Sequence, residues 1–142
     1  MELVEFSIRV GLAVVAGLLI GAEREFSGKS AGLKTNALVA LGACVFVLIS
    51  LNFEGEPYVD ITRVLGQVVS GIGFIGAGTI LQQKGSVKGL TTAATIWCSA
   101  GTGCLAALDM YKELVVVCVL IITINYVLGI FERKFLQKKS KD

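Results

Sequence analysis

The sequence predicts an all-α membrane protein: a polytopic bundle of five transmembrane helices with its N-terminus outside and its C-terminus inside. Three observations carry that reading. Of 142 residues, 54% are hydrophobic and only 17% charged, against about a quarter charged in an ordinary soluble domain. The charges are spaced so that 13 uncharged residues separate Arg9 from Glu23, 19 separate Lys34 from Glu54, 20 separate Arg63 from Lys84, 20 separate Lys88 from Asp109, and 18 separate Glu113 from Glu132. A helix of about 20 residues rises about 30 Å, the thickness of a bilayer's hydrocarbon core. Finally, alternating directions for the five spans put ten Lys and Arg on one side and three, Arg9, Arg63 and Lys112, on the other. The positive-inside rule then fixes the orientation. A secreted or nucleic-acid-binding domain is excluded.

Span one is expected from Leu3 to Ala22, qualifying because Arg9 lies near a membrane face; span two runs from Thr35 to Phe53 and span three from Val64 to Gln82. Span four covers Leu90 to Leu108 and span five Leu114 to Phe131. Residues 1–131 form one transmembrane domain with short connections, and 132–142 a short basic cytoplasmic tail suited to the anionic inner leaflet. Glu2 and Glu5 replace the basic segment that a cleavable signal needs. The four cysteines, Cys44, Cys98, Cys104 and Cys118, fall inside spans without metal-ligand spacing, and there is no histidine. They read as apolar thiols, and without histidine the commonest general base is missing, so an enzyme is not expected.

Glycine dominates the interior of the spans. Gly17 and Gly21 have GxxxG spacing, and span three carries Gly66, Ser70, Gly71, Gly73, Gly76 and Gly78. Small residues let helices approach closely in lipid, which makes these faces packing surfaces and favours a homo-oligomer, a dimer first. The alternative is that the glycine run breaks span three and frees backbone groups to line a site. Gly71 to Gly76 matches GxGxxG literally, but no strand precedes it and no acidic residue follows at the required distance, so it is no dinucleotide fingerprint. A weak repeat relates Ile20-Gly21-Ala22 with Gly32-Leu33 to Ile75-Gly76-Ala77 with Gly89-Leu90, at offsets of 55 and 57 residues.

The candidate site lies at the inner end of the spans. Glu23, Arg24 and Glu25 close span one, and Lys34, Thr35 and Asn36 open span two, with Thr91 and Thr92 at the start of span four. These residues either converge on one cytoplasm-facing site or form interfacial ion pairs and helix caps. Glu23 and Glu25 are weak candidates for Mg²⁺, because they sit about 200° apart on a helix and share an ion only if the helix ends there. Inside the spans, Arg9, Gln67 and Asn125 are polar; Arg9 either serves function or snorkels outward to pair with Glu5. The loop carrying Glu54, Glu56 and Asp60 is an acidic mouth or an ordinary solvated loop. Trp97 falls in the middle of span four and is expected inside the bundle.

The segments Ile20 to Glu25, Gly32 to Thr35, Ser70 to Thr79 and Gly85 to Trp97 together resemble the MgtC/SapB family of membrane proteins. The resemblance implies a bacterial inner-membrane protein tied to Mg²⁺ homeostasis, growth at low Mg²⁺ and, in some members, virulence. It implies Mg²⁺ as ligand or substrate, or else a regulatory role on another inner-membrane protein such as the F-type ATP synthase or a transporter. Longer members carry a soluble C-terminal domain, whereas this sequence stops after span five and reads as the membrane domain alone. The topology is testable: reporter fusions after Glu56 and after Asp142 are expected to read outside and inside respectively, and the opposite readings would refute both orientation and span count.

Overall fold

The structure is a computed structural model and describes residues 1–58, 60–83, 85–131 and Lys134. Five helices follow in order: α1 (Leu3–Phe26), α2 (Leu33–Leu51), α3 (Thr62–Gly78), α4 (Leu90–Ala107) and α5 (Tyr111–Phe131). Between α3 and α4 lies an antiparallel hairpin, β1 (Leu81–Gln83) paired with β2 (Ser86–Lys88), with Leu81 opposite Lys88. This hairpin is a departure from the expected all-helical chain. Span three was expected to reach Gln82, but α3 ends at Gly78 and the chain turns back through Gly85 at φ +84°. Uncharged glutamines do not interrupt a charge count, yet they do not extend a helix either. The tail expected at 132–142 lies outside the described residues, Lys134 apart.

Three helices, α1, α2 and α5, are long and apolar enough to cross a membrane. Their composition follows from their place in the bundle. On α5 the buried residues are Leu114, Cys118 and Ile121, one stripe at helical spacing. The rest of that helix presents apolar side chains outward, among them Val119, Ile124 and Leu128. Such a surface suits lipid and would be an aggregation patch in water. By contrast α4 packs against each of the other four helices, and it buries Thr92, Thr95, Ser99, Thr102 and Gly103 beside its alanines. A helix enclosed by helices needs small, hydrogen-bonding faces more than it needs hydropathy.

Close approach is achieved at three glycines. A Cβ at Gly17 would stand 2.5 Å from the Asn36 carbonyl oxygen, and one at Gly21 would stand 2.6 Å from the Leu33 Cα, both on α2. A Cβ at Gly103 on α4 would overlap the Ala40 backbone of α2, one turn beyond Asn36. The core between them is correspondingly small in side-chain size: Ala13, Ala16 and Ile20 of α1 meet Cys44 and Val47 of α2, with Ala106 and Ala107 of α4.

The α3 glycines behave differently. The helix is unbroken, and only its Val68 and Gly76 are buried. Within the chain Gly66, Gly71, Gly73 and Gly78 face open space, Ser70 is exposed, and Gly76 makes an ordinary contact with Ala93 of α4. Within one chain the tight helix contacts are made by glycines of α1 and α4. Trp97 is also corrected: it is 52% exposed on the outside of α4, while its neighbour Ile96 takes the buried position against Val39 and Ala43 of α2. Gly17→Leu and Gly103→Leu are each expected to cost about 3 kcal/mol or more, because backbones must separate, while Gly73→Leu leaves the melting temperature of the detergent-solubilised protein nearly unchanged. Equal melting of the three variants would refute this packing scheme.

Candidate functional site

One end of the bundle gathers the C-terminus of α1 and the N-termini of α2 and α4. The α1 helix stops in a Schellman turn: Lys29 N–H donates to the Arg24 carbonyl and Gly28 N–H to that of Glu25, with Gly28 at φ +64°. That turn holds Arg24 on the last full turn of α1, where it is 4% exposed. Its Nη2 donates to Thr92 Oγ1 at 2.9 Å, joining α1 to the first turn of α4 across 68 positions. Arg24 and Thr92, two of the eight candidates that the sequence groups at this end, are in contact. They line a cavity of about 560 Å³ with Lys29, Ser30, Lys88 and Thr91. Asn125 and Leu128 of α5 close its far wall.

The other candidate residues take separate places. Glu23 is buried and lines a different cavity, of about 710 Å³, with Phe26, Tyr126 and Lys134. Its Oε1 accepts from Ser27 at 2.7 Å, while Oε2 is buried without a hydrogen-bond partner. Glu25 is exposed, and its Oε2 accepts the Leu33 N–H at 3.2 Å, so a carboxylate caps the start of α2. The α1 helix runs through both glutamates, so they do not converge on one ion. Among the described residues no group of three or more Asp, Glu, Cys or His is placed to hold a metal. Lys34 is exposed and Thr35 half-buried on the first turn of α2, outside the Arg24 cavity.

Asn36 is fully buried one turn into α2. Its Nδ2 donates to the Ala31 and Gly32 carbonyls at 2.5 and 3.1 Å, and its Oδ1 accepts from Ser99 of α4 at 2.7 Å. Asn125 of α5 pairs with Thr95 of α4 at 3.3 Å, while Gln67 is exposed beside the apolar groove between α2 and α3. Ser99 and Thr95 went unsingled in the sequence, where they sit among the Ala, Gly and Thr of α4. Their only signal is a hydroxyl in phase with Thr92, at three and seven positions.

Arg9 marks the opposite end. It is buried, ion-paired with both Glu5 and Asp109, and donates to the Ala107 carbonyl at the end of α4. Pairing with Glu5 was expected; Asp109, 100 positions away, was not. Asp109 occupies the left-handed position that ends α4, at φ +58°. Aspartate tolerates that backbone better than most residues, and it places a carboxylate where the arginine arrives.

The model of the MgtC family matches residues 10–134. Protein MgtC of Salmonella typhimurium is 47% identical over 116 residues, covering 82% of this chain and 49% of that protein. Protein MgtC of Brucella abortus is 47% identical over the same length, covering 82% and 48%. The uncharacterized protein slr0014 of Synechocystis is 42% identical over 130 residues, covering 90% and 54%. The chain spans about half the length of the curated relatives it matches, and no solved structure matches it. The family model covers the chain from within α1 to the end of α5, and the relatives match 82% or more of it: the chain belongs to the MgtC family.

Proposed function

We propose that this chain serves Mg²⁺ homeostasis from the bacterial inner membrane, with the Arg24–Thr92 end facing the cytoplasm as its working end, and that it regulates a membrane partner without itself carrying the ion. Support for the Mg²⁺ link comes from family membership and the resemblance stated above. The observation that carries the mechanism is the sign of the charge. The cavity shared by α1, the connection from α3, α4 and α5 is lined by Arg24, Lys29 and Lys88, with no carboxylate among its described residues. Such a cavity repels a divalent cation. Elsewhere the polar side chains between helices are committed to one another, Asn36 to Ser99 and Asn125 to Thr95.

A second reading, direct Mg²⁺ handling, is favoured by one atom. Glu23 Oε2 is buried and lacks a partner beside an open cavity, and Mg²⁺ is often held by one or two carboxylates with several waters. Two measurements separate the readings. Arg24→Lys and Thr92→Val are expected to abolish support of growth at low Mg²⁺ while expression persists, and the purified protein in liposomes is expected to give no Mg²⁺ flux. Flux that is lost in Glu23→Gln would replace the regulatory reading with the second. Full complementation by Arg24→Lys and Thr92→Val would remove the working end from this region.

A further inference from the structure

We propose that the Arg24 cavity is a binding site for a phosphate group, presented by an anionic phospholipid headgroup or by free phosphate. The inference rests on reading this end as the working end and adds the ligand class. Two buried arginines of α1 reach opposite ends of α4, and they differ in one respect. Arg9 meets two carboxylates and sits at the C-terminus of α4, where the helix dipole welcomes a cation. Arg24 sits at the N-terminus, where the dipole is of its own sign. No ion pair of the described residues includes it.

The guanidinium has five donors. One goes to Thr92, and the Nε is buried with no partner, as is that of Arg9, but here no carboxylate among the described residues pairs with the head group. A buried charge left in this state is costly unless an anion completes it. The surroundings supply the rest of an anion site. Lys29 and Lys88 stand at the rim of the same cavity, and among the described residues no acidic side chain lines it. The 18-residue α4 begins there behind Gly89 with no side-chain cap on its first-turn amides, and such amides bind phosphate directly. Arginine matches phosphate geometry with parallel hydrogen bonds, which lysine does not. The wall opposite the charges is apolar: Ile124 and Leu128 of α5 line the cavity and are about half exposed. An acyl chain following the outer face of α5 would bring a headgroup to Arg24.

The test uses the purified full chain in phosphatidylcholine nanodiscs, titrated with inorganic phosphate, and in parallel nanodiscs doped with phosphatidic acid or phosphatidylglycerol. Thermal unfolding and native mass spectrometry report binding. Saturable stabilisation by inorganic phosphate identifies a free anion; retention of the doped lipid without a response to phosphate identifies a headgroup, and either supports the proposal. Because Arg24→Gln disturbs a buried contact, the deciding variant is Lys29→Gln with Lys88→Gln, both exposed positions. It is expected to weaken binding about tenfold, while the similarly basic Lys34→Gln leaves it unchanged. Thr92→Val is expected to weaken binding and Thr92→Ser to restore it, since Thr92 positions the guanidinium. Absence of binding to both probes, or equal binding by all variants, overturns the site. The outcome is independent of growth: binding lost in the double variant with growth at low Mg²⁺ retained would sink the functional reading and leave the site standing.

Discussion

Three glycines bring neighbours onto the backbone of α2, Gly17 and Gly21 from α1 and Gly103 from α4, and at all three points a methyl group would collide with backbone. In lipid there is no hydrophobic gain from bringing helices together, so association depends on how closely backbones can approach and on what hydrogen bonds form when they do. Holding α1, α2 and α4 at this distance is what puts Asn36 of α2 within reach of Ser99 of α4. It also lets the side chain of Arg24 span to Thr92. If the glycines were larger, both polar contacts would open, and each would leave a buried group unsatisfied at a cost of about 1–3 kcal/mol. The polar site is thus a consequence of the small-residue seam.

The remaining two helices are held less tightly, and their compositions reflect it. With a single buried stripe, α5 turns most of its surface outward, which is why it is among the most apolar helices in the chain. For α3 only Val68 and Gly76 are buried, and an apolar groove of about 540 Å³ separates it from α2. A rigid pair with a central third helix, plus two elements attached on fewer contacts, is the pattern in which motion concentrates in the outer pieces.

Much of this was readable from the residues. Charge spacing located four of the helices closely, because Lys, Arg, Asp and Glu are excluded from apolar surroundings whatever the local propensity. Span three overran because Gln82 and Gln83 are invisible to a charge count. The GxxxG pair in α1 lies close against α2, yet the denser glycine run of α3 has open space around most of its members within the chain. Glycine permits an approach without compelling one, so spacing alone does not say where a neighbour sits. Gly103, the tightest contact on α4, has no glycine partner four residues away; its GxG partner Gly101 faces open space. Arg24 and Thr92 were grouped from their shared end of the bundle, whereas the Asp109 partner of Arg9 depends on how α4 ends, a tertiary fact that no local pattern encodes.

The two buried arginines also define a depth. Arg9 and Arg24 are 15 residues apart on one continuous helix, about 22 Å along its axis, inside a hydrocarbon core of about 30 Å. With the helix centred, each guanidinium lies only a few ångströms below a membrane boundary, where a long side chain reaches the headgroup region without dragging its charge through the midplane. At the Arg9 end that position is closed by the chain itself, through Glu5, Asp109 and the last carbonyls of α4. At the Arg24 end the protein contributes further positive charge and an open helix N-terminus. A fold that neutralises one arginine so completely has carboxylates available for the purpose, and Glu23 and Glu25 stand on either side of the other. Glu23 lines the cavity beside α5 and acts on Arg24 only through space, and Glu25 caps α2, so neither carboxylate hydrogen-bonds the Arg24 guanidinium, which is the position the proposed phosphate would take.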